Sequence, residues 1–263
     1  MAMYGGNNKK RVALTVSYEG TNYHGWQIQK NGISIQQVLT EALSKLCQEK
    51  ISVIGASRTD AGVHAMGNVA IFDTYTQIPM EKFALAINTR LPDDIVVQEA
   101  KIVASNFHPH HCPCRKTYVY TICNRIFPLP LQRNQSYFYP QKLNEEKMKE
   151  AAQYLLGEHD FTSFVSVKST VENKVRIIFQ IKIKREQDYL SIIINGNGFL
   201  YNMVRILAGS LLEVGAGKKE PIWIKEVLFA KNREKAGKTL PPQGLCLLNI
   251  QYDEFCKLPS VMV

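Results

Sequence analysis

An alternation of short strand patterns with amphipathic helix patterns predicts an α+β fold on a mainly antiparallel sheet. Three observations carry that expectation. Arg11–Tyr18 alternates Val12, Leu14 and Val16 with Ala13, Thr15 and Ser17, the period of a strand with one buried face. From Ser34 onward, Ile35, Val38, Ala42, Leu43 and Leu46 trace the apolar stripe of a helix. Further along, Val175–Lys184 and Tyr189–Ile194 are strand patterns around a turn at Arg185–Asp188, which reads as a hairpin.

Taken in order, the first strand leads into a Gly-containing loop, Glu19 to Gly32. Ser34 and Gln37 have capping-box spacing at the helix start. Ile51–Ile54 reads as a short strand that enters a polar turn, Gly55 to Ala65, and Asn68–Phe72 as the next strand. Met80–Asn88 is a short helix, stopped by the turn Leu91-Pro92-Asp93-Asp94, and Ile95–Val103 is a fourth strand. The second half repeats this order loosely, without a sequence repeat. Thr117–Cys123 is a strand with Tyr118 and Tyr120 in alternation. Asn144 caps a helix with Met148, Ala151, Ala152, Leu155 and Leu156 on one face. After the hairpin, Asn202–Val214 and Ile222–Phe229 are helical, and Leu247–Tyr252 is a closing strand. The expected boundary lies near Ser105, dividing the chain into residues 1–104 and 105–263.

Composition bounds the function. With 263 residues, 45% hydrophobic and 21% charged, the chain is long and apolar enough to bury a core, which excludes wholesale disorder. Met1 to Lys10 is polar and lacks the apolar core of a secretory signal. The most apolar stretches, such as Ile206–Gly217, are too short and interrupted to span a bilayer. A soluble, cytoplasmic protein away from membranes is expected, with its six cysteines as reduced thiols. The formal net charge of +9 favours a polyanionic partner, nucleic acid first. The charge is spread through the chain and forms no basic tail.

The segment that carries chemistry is Gly55-Ala56-Ser57-Arg58-Thr59-Asp60-Ala61-Gly62-Val63-His64-Ala65. It lies between two strand patterns and shows one acid, one guanidinium and one imidazole at a strand-to-loop junction, where rigid scaffolds place functional groups. Spacing alone favours a plainer reading, with Arg58 and Asp60 as a local ion pair and Gly62 serving a turn.

The exact string shifts that balance. Arg58-Thr59-Asp60-Ala61-Gly62-Val63-His64 resembles the signature loop of the TruA-type tRNA pseudouridine synthases. Tyr18-Glu19-Gly20-Thr21-Asn22-Tyr23-His24-Gly25-Trp26-Gln27 resembles that family's first-strand motif, and Ser34-Ile35-Gln36 the start of its first helix. Lys116-Thr117-Tyr118, Asp160-Phe161-Thr162-Ser163-Phe164, and Asn195 to Gly209 with Met203-Val204-Arg205 are similar to further family blocks, in order from about Tyr18 to Tyr252.

The resemblance implies two ferredoxin-like (RRM-like) subdomains sharing an extended sheet, with helices on one face. It implies an isomerase that converts uridine to pseudouridine at positions 38 to 40 in the anticodon arm of tRNA, without a cofactor or metal, as a homodimer. It assigns Asp60 as the catalytic carboxylate. An aspartate, with a reference pKa of about 3.9, is ionised at neutral pH and serves as nucleophile or base. By the same resemblance Arg205 pairs with Asp60, Tyr118 stacks on the target base, and Arg58 helps extrude the nucleotide. Asn197 and Phe199, with His64, Lys116 and Leu245, would line the substrate pocket.

One segment departs from the family pattern of Phe-His-x-Arg followed by an aromatic. Here it reads Phe107-His108-Pro109-His110-His111-Cys112-Pro113-Cys114-Arg115, so His110 and His111 stand where the arginine and the aromatic belong, and Arg115 is a candidate to compensate. The same histidines and cysteines invite a zinc reading, but Cys112-x-Cys114 has the wrong spacer and no second ligand pair follows. Two alternatives stand beside the isomerase: an RNA-binding protein that has lost catalysis, and a metal-dependent hydrolase. Arg58, Asp60, Tyr118 and Arg205 are all present, which argues against the first; insensitivity to chelators would remove the second.

Overall fold

The structure, a computed structural model, describes residues 8–252. It is an α+β fold whose strands pair almost wholly antiparallel. The chain separates into two compact units, one formed by residues up to Pro113 with Tyr252, the other by Cys114–Gln251. The division falls later than the expected 104/105. The reason is packing: Phe107 is buried in a cluster with Ala13, Ile71 and Val103, and Cys112 and Tyr252 close over it. Phe107 meets Tyr252 edge-on at 5.1 Å, and the Tyr252 hydroxyl donates to the Pro109 carbonyl.

The first unit contains β1 (Lys10–Tyr18), α1 (Ile35–Cys47), β2 (Ile54–Gly55), β3 (His64–Thr74), α2 (Met80–Asn88) and β4 (Ile95–Val103). Its sheet order is β4-β1-β3, with β2 pairing β3. Alternation along β1 buries Val12, Leu14 and Val16 as the sequence predicts. The Ser34 hydroxyl accepts from the Gln37 amide, so the cap is real. The Gln37 side chain turns forward to Glu41 rather than back to the cap, so the box is half made. Ile35, Leu39, Ala42 and Leu43 of α1 and Phe83 and Ile87 of α2 are buried in the core of this unit. The strand expected at Ile51–Ile54 shrinks to Ile54–Gly55, and the one expected at Asn68–Phe72 grows to eleven residues.

The second unit contains β5 (Cys114–Cys123), β6 (Tyr137–Phe138), α3 (Glu145–Gln153), β7 (Gly157–Asp160), β8 (Val175–Glu186), β9 (Tyr189–Gly196), α4 (Met203–Gly215), α5 (Trp223–Ala230) and β10 (Leu245–Tyr252). Its strands lie in the order β10-β5-β9-β8-β7, and β6 pairs in parallel with β5. Asn144 caps α3 by accepting from the Lys147 amide. The hairpin β8–β9 turns at Gln187, whose φ of 53° matches the positive φ that tight hairpin turns demand. Helix α4 is buried at every residue except Arg205 and Glu213, so it forms the centre of this unit and packs on α3 and β5. Among the described residues no helix is long and apolar enough to cross a membrane.

A two-pronged pair ties β1 to β3. Arg11 Nε and Nη2 donate to the two Asp73 oxygens at 2.8 and 3.0 Å, and Arg11 Nη1 reaches the Phe107 carbonyl at 2.9 Å. The guanidinium holds the Asp73 carboxyl below its ordinary value. In the unfolded chain Asp73 takes up its proton at the ordinary value, so this stabilisation is present above that pH. It is lost as pH falls through the lowered folded value. Both side chains are partly exposed, so the effect is at most about 1 kcal/mol. Urea melts of wild type and Asp73→Asn between about pH 6 and about pH 2.5 should converge as the medium acidifies. Parallel curves over that range would show that the pair contributes nothing.

Candidate active site

The loop from Gly55 to Ala65 is shaped largely by backbone contacts with another chain segment, supported by bonds to its Thr59 and His64 side chains. The Val63 amide donates to the Asp60 carbonyl at 3.1 Å, closing a four-residue turn. Gly62 stands at its third position with φ 76°, the backbone that a type II turn assigns to glycine. A second segment, Tyr18 to Trp26, lies directly on this turn. The Trp26 amide donates to the Thr59 carbonyl at 3.0 Å, and the Gly62 amide donates to the Tyr23 carbonyl at 3.3 Å. The Gly20 amide donates to His64 Nδ1 at 3.0 Å.

Two glycines make that approach feasible. A Cβ on Gly25, itself at φ 84°, would lie 2.5 Å from the Thr59 carbonyl oxygen and 3.0 Å from the Asp60 carbonyl carbon. A Cβ on Gly20 would lie 2.0 Å from the Val63 oxygen. Asp60 is thus held by backbone on either side. Beneath it, the Tyr18 hydroxyl and Thr59 Oγ1 share a hydrogen bond at 2.8 Å, and Asn68 Nδ2 donates to the Ser57 carbonyl at 3.0 Å. Gly25 and Trp26 carbonyls also accept from the Ile35 and Gln36 amides, so the same segment fixes the start of α1.

Arg58 is exposed, and it forms no ion pair or hydrogen bond among the described residues. The local Arg58–Asp60 pair that spacing allowed is therefore absent. His64 is buried at the start of β3, and its Nδ1 accepts from Gly20; this assigns it a bracing task within the loop. Asp60 itself is half-buried.

In the second unit, Tyr118 on β5 is 7% exposed and meets Phe199 edge-on at 5.3 Å with the rings at 84°. Two of the expected residues are thereby brought together. Lys116, two residues earlier on the same face, is half-buried, and burial pushes its ammonium below the ordinary lysine value, with Cys114 opposing. Asn197 also has a bracing contact. Its amide and Oδ1 clasp the Ile177 carbonyl and amide at 3.0 and 2.9 Å, holding the loop after β9 onto β8. Leu245, the first residue of β10, is 5% exposed.

Arg205 is not a solvated surface arginine. Its Nε donates to the Leu240 carbonyl at 2.7 Å and its Nη1 to Asn202 Oδ1 at 2.7 Å. Asn202 is itself in a left-handed conformation, φ 61°, which turns its side chain toward α4's first turn. The segment Gly237–Leu240 crosses α4 closely: a Cβ on Gly209 would fall 2.0 Å from the Lys238 oxygen, and Ser210 Oγ accepts from the Gly237 amide. Tyr120 is fully buried, and its hydroxyl donates to the Pro241 carbonyl at 2.8 Å.

Sequence reasoning missed Gly20, Gly25 and Asn202 as site-building residues. The glycines stood in a quoted motif, yet a close backbone approach leaves no local pattern to read. In the His108–His111 stretch the His108 and His111 rings meet at a tilt of 37°, with centroids 4.3 Å apart. Among the described residues no group of three or more His, Cys, Asp or Glu side chains is arranged to hold a metal ion.

Gly25→Ala should lower the unfolding free energy by about 2 kcal/mol or more, from positive-φ strain plus the clash with Thr59. Equilibrium urea denaturation measures it. A loss below about 0.5 kcal/mol would mean the two segments separate at little cost.

The chain matches a family model described as tRNA pseudouridine synthase over residues 14–111 and 151–253. It is 48% identical over 243 residues to the tRNA pseudouridine synthase A of Thermoanaerobacter sp. (strain X514), covering 92% of this chain and 100% of that protein. It is 46% identical, at the same coverage, to the tRNA pseudouridine synthase A 2 of Clostridium perfringens and to the tRNA pseudouridine synthase A of Clostridium acetobutylicum. With a clamped Arg-Thr-Asp loop in one unit, an anchored tyrosine and arginine in the other, and relatives of this identity along nearly its whole length, the chain belongs to the TruA family of tRNA pseudouridine synthases, which are isomerases.

Proposed function

We propose that this protein converts uridine to pseudouridine in the anticodon arm of tRNA, at positions 38 to 40, with Asp60 as the reacting carboxylate and no cofactor. The observation that carries the reading is the fixed backbone on both sides of Asp60, through Trp26–Thr59, Tyr23–Gly62 and Asp60–Val63 hydrogen bonds. A carboxylate held this way meets a reacting atom without reorganisation. The reaction balances within the nucleotide: the N1–C1′ bond breaks, a C5–C1′ bond forms, the C5 proton leaves to water, and N1 gains a proton. Asp60 acts on the base, bonds to C1′, or takes the C2′ proton; each route needs one carboxylate at one place.

Arg205 is suited to pair with that carboxylate, because its anchoring by Leu240 and Asn202 removes the entropy a long side chain otherwise loses. Tyr118, steadied by Phe199, suits a ring that stacks on an unpaired base, worth about 1–3 kcal/mol. Arg58 is exposed and unengaged among the described residues, which suits a side chain that takes the place of an extruded nucleotide. Lys116, Leu245 and His64 complete the pocket in this reading, with Asn197 holding its edge. The protein works in the cytoplasm as a homodimer, with one tRNA touching both subunits.

An unmodified tRNA transcript tritiated at uridine C5 tests the proposal, with chelator present and no cofactor added. Wild type should release tritium to water, and Asp60→Ala should be slower by about a thousand-fold or more while melting at the wild-type temperature. Tight tRNA binding with no release by wild type would leave an RNA-binding protein instead of an isomerase.

A further inference from the structure

Besides Lys116, and Arg185 with its partner Glu145, the sheet face of Tyr118 carries a further cation, Arg176. In the second unit Lys116, Gly196 and Ile178 lie in one register row across β5, β9 and β8, and Tyr118, Ile194 and Ile181 in the next. Side chains two residues apart on a strand share a face. Arg176, two residues before Ile178 on β8, therefore lies on the face that carries Lys116 and Tyr118, one row beyond Lys116. The bulge at Phe179 preserves this, because it falls after Ile178 and absorbs the extra residue.

The Arg176 side chain is half-buried, and its Nη1 donates to the Asn173 and Val175 carbonyls at 3.0 and 2.6 Å. Among the described residues no carboxylate pairs with it, and no partner takes its Nε or Nη2. Burial alone pushes its guanidinium below the ordinary arginine value. Across the register, His159 is turned to the Leu156 carbonyl, and Asp160 is engaged by Thr162 and Lys231. The side chain runs along Gly198, where a Cβ would lie 3.7 Å from Nε. Gly198 presents bare backbone beside the guanidinium, next to Phe199 and its partner Tyr118. A half-buried arginine that forms no ion pair among the described residues, with its Nε beside glycine backbone, fits a bidentate oxyanion.

We infer that Arg176 grips a phosphodiester of the RNA strand adjacent to the nucleotide that stacks on Tyr118. This rests on the function proposed above and adds a positioning residue to it. A phosphate contact sets the register of the strand and carries no sequence information. It acts in binding, before the isomerisation step.

The test compares wild type, Arg176→Gln and Arg176→Lys for tritium release from the tRNA transcript, and for binding to the same transcript across a salt series. Arg176→Gln should raise KM roughly ten-fold and leave kcat within about three-fold. Its plot of log affinity against log salt should be shallower by about one unit, with an unchanged melting temperature. Arg176→Lys should restore the salt slope and only part of the affinity, since a point charge lacks the fork. An unchanged KM and slope in Arg176→Gln would overturn the inference. So would a loss of kcat and thermal stability together, which would make Arg176 a brace for Asn173 and Val175. Failure of the isomerase reading looks different: wild type itself would release no tritium, while the salt slopes would still report whether Arg176 meets a phosphate.

Discussion

The contact on which the first unit's chemistry depends is backbone against backbone, where the segment Tyr18 to Trp26 lies on the turn that carries Asp60. It is made at two glycines, and each leaves room where any side chain would strike a carbonyl. Once that approach exists, the Trp26 and Gly62 amides find carbonyl partners across the gap, and the start of α1 is bonded to the same segment. Buried backbone groups that lack partners cost more than hydrogen bonds return, so both loops are satisfied together or neither is. His64 and Tyr18 reinforce the arrangement from below with side-chain bonds to Gly20 and Thr59.

The second unit solves a related problem by other means. Arg205 emerges from a helix that is otherwise almost wholly buried, and a stretch of chain from Gly237 to Pro241 crosses that helix. The crossing fixes Arg205 through Leu240 and Tyr120 through Pro241. Glycine again sits at the tightest points, with Gly209 under Lys238 and Gly244 against the Tyr120 ring. In both units main-chain carbonyls and amides of distant segments help orient the polar group of interest, with the Asn202 side chain adding to this at Arg205.

Much of the fold was legible because it follows local periodicity. Met80–Asn88 and Ile95–Val103 stand where alternation and turn chemistry put them, and Ser34 and Asn144 cap as side-chain chemistry requires. The features that escaped depend on distant chain. The boundary after Pro113 is set by Phe107 packing into a cluster with Ala13 and Ile71, which no composition shift announces. Strand β3 begins as early as His64 because it pairs with β1 from Tyr18 onward, so the polar turn ends sooner than its residue types suggest. At the site, residue types were readable and tasks were not. Asn197 spends its Oδ1 and its own amide on Ile177, and His64 spends Nδ1 on Gly20, because hydrogen-bond partners are chosen by the fold and not by spacing.

The double-loop clamp also bears on how separable the catalytic segment is. An eleven-residue stretch with a recognisable signature looks like a cassette. Here its conformation is stored in another stretch, 33 to 43 positions earlier, through amides and absent side chains. Moved alone into a foreign scaffold, residues 55–65 would arrive without their mould and relax toward whatever their new neighbours permit. The portable unit is the pair of segments together with the first turn of α1, so a transplant of the site has to carry all three pieces.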